Sequence, residues 1–235
     1  MSYLKVLERT EWPLYLVSDE RMVKDVSGLN TELETETLRS RVCEIALDSL
    51  GLEWIDEVRT RWTEHGELSG GERALLTLAL DYHERGDYEA YFSVFLWLTK
   101  GFLEKCCEQP NAVTEQQRDD FDSQVKQHRL KDIVSPKGKE RDLQNSKDLV
   151  LLVRTENGYY FWNAATSYVV DVVLANVKDF EVKAAHNPLR NKICHGRQTG
   201  FGTKDHSLKA ILAADIVIRL GCAERLVLDS KNDDG

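Results

Sequence analysis

Ser207-Leu208-Lys209-Ala210-Ile211-Leu212-Ala213-Ala214-Asp215-Ile216-Val217-Ile218-Arg219 is the stretch that decides the fold class of this 235-residue chain. Continued to about Leu228, it is apolar on nearly every side, interrupted by a stripe of Asp215, Arg219 and Cys222. A helix that is apolar all round must be surrounded, so this one belongs in the middle of a helical bundle. The surrounding sequence supplies partners. Glu32 to Leu50, about Glu53 to His65, and Ser69 to about Arg85 read as helices. Gly86-Asp87 breaks the pattern. Tyr88, Tyr91, Phe92, Phe95, Leu98, Phe102 and Cys106 then recur at helical spacing, giving a half-buried helix that stops before Pro110.

Other segments are more mixed. Trp12 to Ser18 is a short apolar run that suggests a strand. Residues 111–147 are polar, with a helix expected from Thr114 to about Lys131 and an exposed connector after it. Leu149 to Arg154 and Tyr159 to Trp162 flank Asn157-Gly158, whose positive φ suits a tight turn, so a small β-hairpin is expected near residues 149–162. A helix from Ala164 to about Val177 follows. The fold class is therefore mainly α, and residues 229–235 form a polar tail expected to be disordered.

Composition sets limits on function. Hydrophobic residues make up 42% of the chain, enough for a substantial core, and the net charge of -9 argues against non-specific coating of nucleic acid. The charge is uneven: residues 1–110 hold 22 acids and 12 bases, residues 111–235 hold 18 and 19. Any RNA contact should lie in the second half. The five cysteines include no C-x-x-C pair, which fits a reduced, cytoplasmic protein better than a disulfide framework. No apolar run approaches a membrane span, and no signal-peptide pattern follows Met1.

Chemistry concentrates just before the central helix, in Asn187-Pro188-Leu189-Arg190-Asn191-Lys192-Ile193-Cys194-His195. Asn187 is expected to cap a short helix with Pro188 at its first position, where a missing amide hydrogen costs nothing. Gly196, Gly200 and Gly202 mark its end and a loop. Arg190 supplies a permanent positive charge suited to a phosphate, and His195 an imidazole that moves protons near neutral pH. Asn191 and His195 are four apart and share a face, so the amide can hold the ring in one tautomer. Arg190 and His195 are five apart, roughly 140° around an ideal helix, an arrangement that flanks a phosphate.

The run R-N-x-x-x-H with a following glycine resembles the signature of HEPN ribonucleases. With Gly86-Asp87-Tyr88-Glu89-Ala90 opening an aromatic helix, the chain is similar over about residues 55 to 228 to the HEPN half of CRISPR-associated accessory ribonucleases of type III systems. Cys194 stands where that family often has alanine. The resemblance implies a HEPN-type helical bundle over residues 56–228, preceded by a helical segment 1–55. It also implies a homodimer that cleaves single-stranded RNA in antiviral defence without a metal or cofactor. Arg190, Asn191 and His195 would be catalytic, with Lys192, Arg197 and Lys204 holding flanking phosphates. Residues before 55 are too few for the cyclic-oligoadenylate-binding CARF sensor of that family, so a sensor would be a separate region. Two other readings stay open: a HEPN toxin held by an antitoxin, and a non-catalytic helical adaptor in which Arg190 and Asn191 merely cap and bridge.

Two weaker signals are set aside. Arg59 and His65 repeat the spacing, and are expected to be surface charge on a helix. Leu68-Ser69-Gly70-Gly71-Glu72 resembles the signature loop of ABC transporter ATPases, yet the chain has no G-x-x-x-x-G-K-[ST] phosphate loop to go with it. Ser69 and Glu72 have the spacing of a helix capping box instead.

Overall fold

A computed structural model describes residues 2–66, 68–92, 165, 168, 169, 172, 186–194 and 196–232, with side chains for all of these except 2, 190, 191 and 220–232. The protein is mainly helical: α1 (Ser2–Thr10), α2 (Glu20–Ser27), α3 (Thr35–Ser49), α4 (Leu52–Glu64), α5 (Gly70–Glu84), α6 (Arg190–Cys194) and α7 (Lys204–Asn232). Residues 88–92 add a further helical stretch. α1, α2 and α3 pack on one another, α4 pairs with α5, and α7 touches both α3 and α5.

The central helix behaves as its composition requires. Every side chain from His206 to Ile218 is buried, so α7 is enclosed over more than three turns. It begins before Ser207 and runs through Asn232, into the segment read from sequence as a tail. Val6, Leu7, Trp12, Leu38, Val42, Ile55, Val58, Trp62 and Leu80 join the same core, which therefore takes residues from both sides of position 55.

The strand expected over residues 12–18 does not form. Leu14–Leu16 is instead a single 3-10 turn whose Leu14 and Tyr15 are buried. An apolar run this short has no periodicity to separate a buried turn from a strand. With the chain folding back between α1 and α2, the run plugs the core rather than joining a sheet. Among the described residues there is no strand. The expected hairpin near residues 149–162 and the helix from Thr114 to Lys131 lie outside the described residues. The aromatic helix is described as far as Phe92; of the helix expected from Ala164, Ala165, Tyr168, Val169 and Val172 are described, all buried.

Local chemistry explains the helix ends. The Ser69 hydroxyl accepts from the Glu72 amide at 3.2 Å, and the Glu72 carboxylate accepts from the Ser69 amide at 2.7 Å. This reciprocal box starts α5 as the sequence predicts. Ser69→Ala should lower stability by about 1 kcal/mol, measured as a shift in the urea midpoint without loss of helicity. At the other end Gly86 adopts φ +77°. Its amide donates to His83 O, and the Asp87 amide donates to Tyr82 O, closing the helix in a Schellman turn.

Polar side chains tie the helices together. The Arg59 guanidinium, expected at the surface, bridges α4 to α5 through Asp81 at 2.7 Å and Glu84 at 2.8 Å. On α5, the His83 ring nitrogen Nδ1 lies 2.8 Å from Ser207 Oγ on α7. Burial, with the nearby Lys204 charge, lowers the His83 pKa to about 4. The unfolded chain therefore binds an extra proton between pH 6.5 and pH 4, and stability must fall as pH falls through that window. The expected loss between pH 7 and pH 4 is about 3 kcal/mol from this one residue. Urea titrations of the wild type and His83→Gln at both pH values check it, because the variant should lose that part of the pH dependence. Among the described residues no helix is long and apolar enough to cross a membrane.

Candidate functional site

The Arg190 segment is approached through a buried polar cluster. Lys209, fully enclosed on α7, points its ammonium at the chain entering the motif: it donates to His186 O at 2.6 Å and to Asn187 Oδ1 at 3.2 Å. The Asn187 amide nitrogen donates to the Glu11 carboxylate at 2.5 Å, and the Tyr168 hydroxyl lies 3.4 Å from Asn187 Oδ1. The Trp12 ring faces the same ammonium at 4.8 Å, within cation–π range. Thus one asparagine side chain gathers a cation, a carboxylate and a phenol.

Glu11 stands just after α1 with φ +55°, in the left-handed region where a helix end normally takes glycine. A non-glycine residue there costs about 1 kcal/mol or more, which the surrounding contacts must offset. Its half-buried carboxylate on Asn187 is one such contact.

This cluster corrects the expected cap. Asn187 does not cap the helix, because its side chain is committed to Glu11, Tyr168 and Lys209. The helix starts two residues after Pro188, at Arg190. The leading amides are satisfied from further along the chain. Gln198, buried, accepts from the Leu189 amide at 2.9 Å and donates to Asn187 O at 2.9 Å. Gly196, with φ +65°, ends the turn: its amide donates to Ile193 O and that of Arg197 to Lys192 O. The glycine after the motif thus has a backbone reason, since a side chain at that φ is strained.

The loop that follows is fixed on its inner side. Phe201 packs edge-on against Phe92 with ring centroids 5.3 Å apart. Gly202 lies so close to Glu89 that a Cβ there would sit 2.5 Å from the Glu89 Cγ. The loop is therefore held on residues 88–92 while Arg197, Thr199, Gly200 and Thr203 face outward.

Of the residues picked from sequence, Arg190 and Asn191 lie on the first turn of α6, their side chains outside the described residues. His195 itself is outside the described residues. Lys192 is buried, whereas Cys194, Arg197 and Lys204 are exposed. The Arg59–His65 repeat is excluded from an equivalent role by packing: Arg59 is bound by two acids and His65 is buried at the end of α4. Glu11, Tyr168, Gln198 and Lys209 were not picked from sequence. Only Lys209 carried a signal, as a cation inside the most apolar stretch of the chain.

Two clefts lie elsewhere. One of about 690 Å³ is lined by Glu53, Asp56, Glu57, Arg61 and their neighbours. Another of about 540 Å³ sits between the Leu16–Asp19 segment, the α3–α4 junction and Arg219. Neither is lined by a residue of the motif. Among the described residues no group of three His, Cys, Asp or Glu side chains converges as a metal site requires. The chain matches no protein-family profile, no curated protein and no solved structure.

Proposed function

We propose that the chain is a metal-independent HEPN-type endoribonuclease acting on single-stranded RNA, with Arg190, Asn191 and His195 as its catalytic group. The observation that carries this reading is the sequence Arg190-Asn191-x-x-x-His195-Gly196 itself. Support comes from its setting. The turn that bears Arg190 is pinned at both ends, by Asn187 and Gln198 before it and by Gly196 after it. Residues immediately beyond it reach the surface. A turn held by hydrogen bonds at its entry and exit suits positioned catalysis.

The chemistry follows from residue types. His195 would take the proton of the ribose 2′-hydroxyl or give one to the leaving 5′-oxygen. Arg190 would neutralise charge building on the pentacoordinate phosphate, and Asn191 would orient the ring or the phosphate. The 2′-oxygen being the nucleophile, products should carry a 2′,3′-cyclic phosphate and a 5′-hydroxyl. Arg197 and Lys204, both exposed, are more accessible to flanking phosphates than buried Lys192. A homodimer would bring two Arg190–His195 pairs to one groove, as two-fold symmetry allows. A role in CRISPR-linked or other prokaryotic defence, with a separate CARF sensor or an antitoxin as regulator, belongs to the same proposal.

The adaptor reading is favoured by one observation: Asn187, Gln198 and Lys209, buried polar residues around the entry to the motif, are all engaged in hydrogen bonds within the fold. One assay separates the two. Purified protein incubated with unstructured RNA and EDTA should produce fragments with cyclic-phosphate ends; intact RNA sinks the nuclease reading.

A further inference from the structure

Lys209 is a poor choice if the aim is only to fill the core. It is 1% exposed, sits between apolar neighbours on α7, and keeps its ammonium away from water. A buried cation without a role is expensive, and a hydrophobic residue of similar size usually does as well or better. What the ammonium does here is specific: it holds His186 O, Asn187 Oδ1 and the face of Trp12 at once. Three separate parts of the chain, the residues just after α1, the entry to α6 and the second turn of α7, are joined through one nitrogen.

We propose that Lys209 is a positioning residue for the Arg190 turn, its charged ammonium fastening the 186–189 entry segment to the N-terminal helices so that α6 is held in one place. The inference rests on the nuclease reading for its consequence in activity, but not for the fastening itself. Positioning through a chain of hydrogen bonds affects turnover more than substrate affinity, because the groups moved act in the transition state.

The charge should be lost above neutral pH, far below the usual range of a lysine. Burial lowers the Lys209 pKa to about 8; Arg39 pushes the same way, while Glu11, Asp205 and Cys43 oppose it. His186, whose carbonyl is one acceptor, pairs its ring with Glu36 at 3.3 Å. As pH rises through 8 the ammonium becomes an amine, its bonds lose charge assistance, and the hold on Trp12 goes. Global stability moves the opposite way. The unfolded chain keeps the proton up to about pH 10.5, so the fold gains stability between pH 8 and pH 10.5 while the entry segment loosens.

The test uses the full chain, with Lys209→Met and Lys209→Arg. In the wild type, the backbone amide signals of Leu189, Lys192 and Ile193 should shift or broaden between pH 7 and pH 9.5, with a midpoint near 8. Lys209→Met should show the loosened spectrum at every pH. Where RNA cleavage is present, kcat should fall about tenfold in Lys209→Met with KM within twofold, and Lys209→Arg, which keeps a charge, should restore at least part of the rate. Unchanged amide signals across the wild-type titration overturn the proposal, and that readout stands even if Lys209→Met fails to fold. Absence of cleavage in the wild type with the amide titration present would sink the nuclease reading and leave the fastening intact. A Lys209→Met kcat within twofold of wild type overturns the positioning role.

Discussion

Asp215→Ala should destabilise the protein by about 3–5 kcal/mol, enough to leave it marginally folded at room temperature. The carboxylate is 4% exposed on α7 and is the meeting point of three side chains. Arg61 on α4 forms two parallel bonds to it, from Nε at 2.9 Å and an Nη at 3.1 Å. The neighbouring Trp62 indole donates at 3.0 Å, and Arg219, one turn on in α7, approaches the other oxygen at 2.9 Å. Arg219 also donates to Leu16 O, so the 3-10 turn is drawn into the same network. Removing the carboxylate leaves two guanidinium groups facing each other over an empty site, with a buried indole N–H short of its acceptor. Asp215→Asn should cost less, since one oxygen remains for the indole. A triple replacement with Arg61→Met and Arg219→Met beside Asp215→Ala should recover much of the loss, as a buried ion network often exchanges evenly for apolar packing. Urea unfolding of the four proteins decides it; a single-mutant loss below 1 kcal/mol would mean that the arginines are solvated in solution.

Why this network was only half legible in the sequence is instructive. Asp215 and Arg219 are four apart, so their pairing on α7 follows from helix geometry alone. Arg61 lies 154 residues earlier, and no local pattern connects them. The same division runs through the molecule. Elements whose signals are local came out where expected: the Ser69–Glu72 box, the Gly86 and Gly196 stops, and the apolar α7. Tyr3, Val6, Leu7 and Thr10 show helical spacing too, and α1 forms over them. Elements decided by distant partners did not. Trp12 to Ser18 lost its strand to a 3-10 turn that buries Leu14 and Tyr15 in the helical core. Asn187 lost its cap because Glu11 and Lys209 outbid the local backbone for the same amide. At the candidate site, the proposal for Arg190 and His195 rests on residue types and spacing. The contacts that hold the 186–189 entry segment, from Glu11, Gln198 and Lys209, depend on approach in space and left almost no trace in the sequence.

His195→Ala should reduce RNA cleavage by about 10²- to 10⁴-fold, the usual worth of a positioned general acid or base, with the fold unchanged. Arg190→Ala should lower the rate about 10²- to 10³-fold, as loss of a charge-stabilising group does. The two effects should not add, because both groups serve one transition state. Asn191→Ala is expected to cost less, since it would orient the ring or the phosphate rather than move a proton or neutralise charge. Two controls give the test its force. RNA with a single 2′-deoxy substitution at the cut position should resist the wild type, since the nucleophile is missing. Arg59→Ala, in the repeated Arg–His spacing on α4, should leave cleavage unchanged and instead lower stability, because its guanidinium links α4 to Asp81 and Glu84. A folded His195→Ala protein that still cuts within tenfold of the wild-type rate would move the chemistry away from this turn altogether. Loss of activity in Arg59→Ala, with the thermal midpoint unchanged, would move it to α4.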